Sequence, residues 1–255
     1  MTKFMRVAAA VLMLGFASVL PPMSNVRTAE LNVLAGGSTT GWLVELAPHF
    51  ERAFGHKLVI HFDSTPNLIE RAVSGAPLDV AVVPVDLFKD AGATARFVSG
   101  PTTDIARVGY GVIVRAGAPK PDISTPDALK QTLLGAQSVA LLPKSAAGAY
   151  VLQVFERLGI AQLMNAKTRA QTAPARIAEA VAKDEAELGV FLVNVLMAPG
   201  VELAGTFPPE LQQDLVFTAA VSADSKEPEA AKNFISFLKS PAAATVITAK
   251  GMNPA

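Results

Sequence analysis

LNVLAGGSTTGWLVELAPHFERAFGHKLVIHF, Leu31 to Phe62, is the stretch whose reading decides the fold. Leu31 to Leu34 is short and apolar, as a buried strand is. Gly36, Gly37 and Ser38 then break the pattern. From Thr40 to Phe54 the residues Leu43, Leu46, Ala47 and Phe50 recur at helical spacing. Pro48 inside that helix predicts a bend, and Gly55 stands where a helix wants a left-handed residue to end it. Lys57 to Phe62 returns to strand character. Beyond it, Ser64-Thr65-Pro66 opens a second helix with a hydroxyl cap and a proline in the first turn. Gly75 stops that helix. Leu78 to Val83 is a continuous apolar run, the mark of a strand buried on both faces. The order β-α-β-α-β predicts a parallel sheet carrying helices.

Further along, Val108 to Val114 reads as a strand and Thr125-Pro126 caps a helix to Leu134. Val139 to Leu142 reads as a strand, Pro143 to Gly148 as a loop, and Ala149 to Leu158 as a helix ended by Gly159. Ala175 to Lys183 is helical, and Leu188 to Val193 and Val216 to Val221 are strands. Two helices with leading prolines, Pro228 to Lys239 and Pro241 to Lys250, close the chain. Two α/β series and a tail predict two lobes. Strand–small-residue–helix junctions stand at Ala35 to Thr40, Asp63 to Thr65 and Lys144 to Gly148. Open sheets bind ligands at the carboxyl ends of their strands. Helix starts there offer unpaired N–H groups and the positive end of the dipole. Lobes presenting such ends to each other make a cleft for an anion.

Composition limits the alternatives. The chain has 255 residues, 51% of them hydrophobic and 6% aromatic, the profile of Ala-rich helices around Val-rich strands rather than of disorder. There is no cysteine, which excludes disulfides, thiolate catalysis and Cys-type metal sites. Lys3 and Arg6 precede an uncharged apolar run from Val7 to Leu20, which Pro21-Pro22 ends. This is the pattern of a signal peptide, residues 1–29, cleaved between 24 and 29; it predicts export to the periplasm. The leader carries three cations and no acid, so the balance of 22 cations and 22 acids becomes about −3 without it. Nucleic acid needs a basic face and is excluded as a partner. No cofactor and no metal are expected. His49, His56 and His61 lack ligand spacing, and Trp42 and Tyr150 read as core or cleft-lining aromatics.

Residues 31–255 resemble the periplasmic molybdate-binding-protein-like group of ABC-transporter solute receptors. The likeness is carried by LNVLAGGS (Leu31 to Ser38), ELAPHFERAFGHK (Glu45 to Lys57), SGAPLDVAVVP (Ser74 to Pro84), IARVGYGVIVRAGAP (Ile105 to Pro119), PKSAAGAY (Pro143 to Tyr150) and EPEAAKNFISFLKSPAAATVI (Glu227 to Ile247). The resemblance implies a two-lobed type II binding-protein fold of the α/β class, each lobe a mainly parallel sheet flanked by helices. Lobe I would be 30–107 with 216–255, and lobe II 108–215. A monomer that closes on a small anion and hands it to an ABC permease is the implied function.

Matched motif by motif, the oxyanion-holding positions fall on Ser38, on Ser64 with Thr65 beside it, on Ala147 and on Ala175. A fifth, usually tyrosine, falls on Leu192, and Asp63 replaces a small residue. Ser145, beside Ala147 at a helix start, could meet a carboxylate. Arg107 and Arg115 bracket a strand near the expected hinge, where a guanidinium suits a carboxylate. Met197 to Gln212 and Lys250 to Ala255 look closer to a divergent branch that includes aconitate isomerases, so a larger organic anion is a second ligand class. The enzymatic alternative needs an acid or base near the allylic carbon. Asp63 is the candidate base, with Lys144 or Arg107 as carboxylate anchor. Asp63 reads first as a capping carboxylate.

Overall fold

The computed structural model describes residues 28–98 and 102–255, so the expected signal peptide lies outside the described residues up to Arg27. In chain order the elements are β1 (Glu30–Gly36), α1 (Thr40–Phe54), β2 (Lys57–Asp63), α2 (Thr65–Val73), β3 (Val80–Pro84), α3 (Ala91–Thr94), β4 (Thr103–Val108) and β5 (Tyr110–Arg115). There follow α4 (Pro126–Gly135), β6 (Val139–Leu141), α5 (Ala146–Arg157), α6 (Ala161–Lys167), β7 (Thr168–Ala170), α7 (Ala175–Ala182), β8 (Leu188–Leu192) and α8 (Val193–Leu196). The chain ends with β9 (Val201–Thr206), β10 (Leu215–Val221), α9 (Pro228–Leu238), α10 (Pro241–Ala249) and β11 (Asn253–Pro254).

The strands form two sheets, β11-β4-β10-β3-β1-β2 and β7-β6-β8-β5-β9. Within the first, β1 runs parallel to both β2 and β3, while β10 runs antiparallel to β3 and β4. Within the second, β6 runs parallel to β7 and β8, while β5 runs antiparallel to β8 and β9. The α/β two-lobed fold holds, with mixed rather than mainly parallel sheets. The strands β4, β5, β9 and β10 flank the two places where the chain passes between sheets; β4 and β9 run with the βα strands. The strands fed from each passage, β5 and β10, enter at the end where the βα strands finish, so they run against them.

One expected strand, Val108 to Val114, divides at Gly109 into β4 and β5, which belong to different sheets. Its apolar pattern runs through the passage, so periodicity alone cannot see the break. The helix expected from Ala149 begins three residues earlier, because Ser145 accepts from the Gly148 amide at 2.9 Å and caps it at Ala146. The short elements α6, β7 and β9 escape a reading based on apolar runs; β9 is half-buried along most of its length.

Local chemistry explains the elements that frame the cleft. The helix α1 buries Trp42, Leu43, Leu46 and Phe50 on one face and ends at Gly55, whose φ of 71° only glycine adopts without strain. Phe50 stacks on Phe54 at 4.8 Å and meets Phe234 edge-on at 5.0 Å, which seats α9 against α1. One continuous apolar core runs through both sheets, and a smaller one around Leu68, Val83 and Leu87 lies under α2. Fully burying each such Leu, Val or Phe contributes about 1.5–3 kcal/mol.

Candidate functional site

The two sheets present the carboxyl ends of their parallel strands to each other. On the first side β1 ends at Gly36 and β2 at Asp63, which are register partners, and β3 ends at Pro84. On the second side β6 ends at Leu141 and β8 at Leu192. Between them lies a small cavity, of about 20 Å³. Gly37, Ser38, Ser64, Thr65, Ser145, Ala146 and Ala147 line its polar rim. Leu142, Phe191, Leu215 and Phe217 form an apolar wall.

Three chain segments bring helix starts to this point. Gly37–Thr39 forms a 3₁₀ turn that runs into α1. Thr65 begins α2 and Ala146 begins α5, each after a residue with extended backbone. The first amides of a helix have no intrahelical acceptor. Some here are already engaged: Ser64 N donates to Asp63 Oδ1 at 2.7 Å, and Gly148 N to Ser145 Oγ at 2.9 Å. Ala146 N reaches Thr65 Oγ1 across the cleft at 3.4 Å. The hydroxyls of Ser38 and Ser64 make no hydrogen bond among the described residues and are half-buried. No Lys or Arg lines this cavity. The rim can therefore hold an anion only with hydroxyls, amides and helix dipoles, which favour negative charge at helix starts.

Of the sequence-predicted positions, Ser38, Asp63, Ser64, Thr65, Ser145 and Ala147 all meet at this one cavity. Three do not. Ala175 is exposed on the first turn of α7, and its neighbour Pro174 lines the cavity instead. Leu192 is fully buried, and Phe191 takes its place in the wall, since successive strand side chains point to opposite faces. Arg107 is exposed on β4, paired in register with Val216 and Asn253, and lies outside the cavity. Its neighbours in β4 and β10 carry the passage between sheets, which is why proximity to the hinge in sequence did not bring it to the site.

Several roles differ from expectation. Ser145 donates to Leu142 O at 2.9 Å while capping α5, so its hydroxyl shapes the loop before it meets any ligand. Asp63 accepts from both Ser64 N and Asn67 Nδ2 at 2.7 Å, so its carboxylate is held at the start of α2. Lys144 points to the adjoining space rather than to this cavity, and Arg115 stands exposed, 4.0 Å from Asp184. Trp42 is core, and His56 accepts from Ala29 N at 3.2 Å. No His, Asp or Glu cluster suited to a metal occurs among the described residues.

Sequence reasoning missed the groups that tie the two sides together. Asn194 Nδ2 donates to Ser38 O at 2.7 Å, and its own Oδ1 is buried without a partner. Gln212 accepts from Tyr110 N at 2.8 Å and donates to Tyr110 O at 3.0 Å, clamping the two passages between sheets. These amide side chains sit in segments without periodicity; only the folded chain brings them to their partners.

The chain matches the pattern of the family described as bacterial extracellular solute-binding protein over residues 31–253. It is 34% identical over 241 residues to an aconitate isomerase from Pseudomonas sp, spanning 92% of this chain and 91% of that one. It is 26% identical over 238 residues to the molybdate-binding protein ModA of Azotobacter vinelandii, spanning 88% and 90%. Among solved structures, the periplasmic molybdate-binding protein of Azotobacter vinelandii superposes with a TM-score of 0.72 at 23% identity, covering 87% of this chain and 98% of that one.

Proposed function

The chain belongs to the bacterial extracellular solute-binding proteins, and from that premise we propose that it is a periplasmic receptor that closes on a small anion between two lobes, residues 30–107 with 216–255 and residues 108–215. The observation that carries this reading is the convergence of Ser38, Ser64, Thr65 and Ala147 on one cavity at the starts of three helices. Export through the leader and delivery to an ABC-type permease complete the proposal, with the protein acting as a monomer. Each hydrogen bond to a charged group contributes about 1.5–3 kcal/mol. Four or five such bonds exceed the ~8 kcal/mol of a micromolar complex, leaving a surplus against ordering and closure. Hinge closure around the ligand is the expected motion.

Thermal melting against molybdate, tungstate, sulfate, phosphate and a set of di- and tricarboxylates tests the reading. At least one anion should raise Tm by several degrees, and Ser38→Ala with Ser64→Ala should remove the rise. A flat response from folded wild-type protein overturns it.

A second reading, an isomerase acting on a tricarboxylate, is favoured by the 34% identity to an aconitate isomerase over nearly the whole of both chains. Interconversion of cis- and trans-aconitate by the purified protein decides between the two. Under this reading Asp63→Asn abolishes turnover; retained activity removes Asp63 as the base.

A further inference from the structure

Beside the anion cavity lies a second, larger space of about 500 Å³. The two share Thr65, Ser145, Ala146 and Leu215, so they are neighbouring chambers of one cleft, separated by the Thr65–Ala146 contact. The chambers differ in chemistry. The first holds no cation; the second holds Lys144, which makes no ion pair among the described residues, and Lys89, which pairs with Asp86. Asp214 also stands at its border, exposed.

The telling group is Tyr110. It lines the second chamber while only 1% exposed, with its ring 4.8 Å from Tyr150 and 5.8 Å from Phe207. The hydroxyl of Tyr150 donates to Leu211 O at 2.7 Å, whereas the hydroxyl of Tyr110 has no hydrogen-bond partner among the described residues. Burial, and then the nearby charge of Asp86, hold Tyr110 well above the usual phenol pKa, so it is a proton donor at any ordinary pH.

Resting on the anion-receptor reading above, we propose that the second chamber is a subsite for the distal carboxylate of an elongated organic anion, with the Tyr110 hydroxyl as its donor and Lys144 as its counter-charge. The head carboxylate occupies the first cavity, on Ser38, Ser64 and the Ala147 amide. The ligand class is then a di- or tricarboxylate rather than a tetrahedral oxyanion, which would fill the first chamber alone and leave Tyr110 unanswered. Asp86 is paired with Lys89 and Asp214 is exposed at the border, which leaves Lys144 as the cation without an ion pair among the described residues to meet the distal carboxylate.

Calorimetric titration of the exported chain with molybdate, sulfate, succinate, citrate and trans-aconitate tests the proposal. At least one carboxylate should bind more tightly than either tetrahedral anion. Tyr110→Phe should weaken that carboxylate about tenfold or more, the loss of one charge-assisted hydrogen bond, with little change for molybdate or sulfate. Lys144→Gln, an exposed substitution that leaves the fold intact, should weaken the same ligand several-fold and carries the test if Tyr110→Phe fails to fold. Carboxylate affinity unmoved by both variants overturns the subsite, as does a wild type that takes tetrahedral anions alone. A wild type that takes no anion overturns the receptor reading with it.

Discussion

Gly148 shows how little room the anion cavity leaves its own scaffold. A Cβ at this position would lie 1.8 Å from Leu142 O, inside a backbone atom that the β6–α5 loop holds in place. Gly148→Ala should therefore cost about 2 kcal/mol or more and abolish anion-induced stabilisation; a near-wild-type Tm would show that the loop can yield. Asp63 tests the opposite kind of constraint. Its carboxylate already sits on the Ser64 amide at the start of α2, where a bound anion would also be drawn. Asp63→Asn should loosen α2 slightly yet tighten anion binding about twofold or more, since a like charge is removed at close range; weaker binding in calorimetry would reverse that assignment. His61 provides a pH effect. Partial burial, and secondarily the charge of Arg71, lower its pKa below the ordinary 6.5. The unfolded chain then binds the proton more readily, so stability is lost as pH falls below about 6.5. His61→Gln should show a shallower fall in Tm between pH 7 and 5, and identical slopes would exclude His61 as the source.

At the scale of elements, α4 and α5 are capped alike but placed differently. Thr125 accepts from Ala128 N at 3.1 Å, and Ser145 from Gly148 N at 2.9 Å. Replacing either residue with alanine should cost about 1 kcal/mol. Only Ser145→Ala should also weaken the anion, because only α5 starts at the cavity. Paired melts and titrations of the two variants separate the cap from the site, and equal loss of binding in both would place the effect in global stability. The Thr125 cap was legible in the sequence, since a hydroxyl followed by proline before an apolar-periodic run states its own role, whereas the Ser145 cap was hidden in a stretch of small residues that reads as loop. The elements that escaped, β9 among them, have no such punctuation; β9 is defined by pairing with β5 across a register shift rather than by its own pattern.

For the molecule as a whole, two hydrogen bonds cross between its two sides at the cavity, beside the apolar core that runs through both sheets. Asn194 holds Ser38 O, and Thr65 meets Ala146 N. Hinge motion between the two sides would break these polar contacts first. Asn194→Ala should shift the balance toward the open form. It should lower anion affinity several-fold and enlarge the ligand-free radius of gyration in small-angle scattering; unchanged values in both would mean that the contact does not hold closure. Ser38, Ser64, Thr65, Ser145 and Ala147 come together at one cavity because each stands where a strand gives way to a helix, a pattern the sequence states locally. Leu192 and Ala175 lie one residue from Phe191 and Pro174, which line that cavity, and in a strand one residue is the difference between its two faces. Arg107, Tyr110, Asn194 and Gln212 carry no local signature of what they do. The order of elements and their caps follows from short-range periodicity and turn chemistry, which the chain states residue by residue. Which side chains face one another across the cleft depends on packing between segments a hundred or more residues apart, and only the tertiary structure decides that.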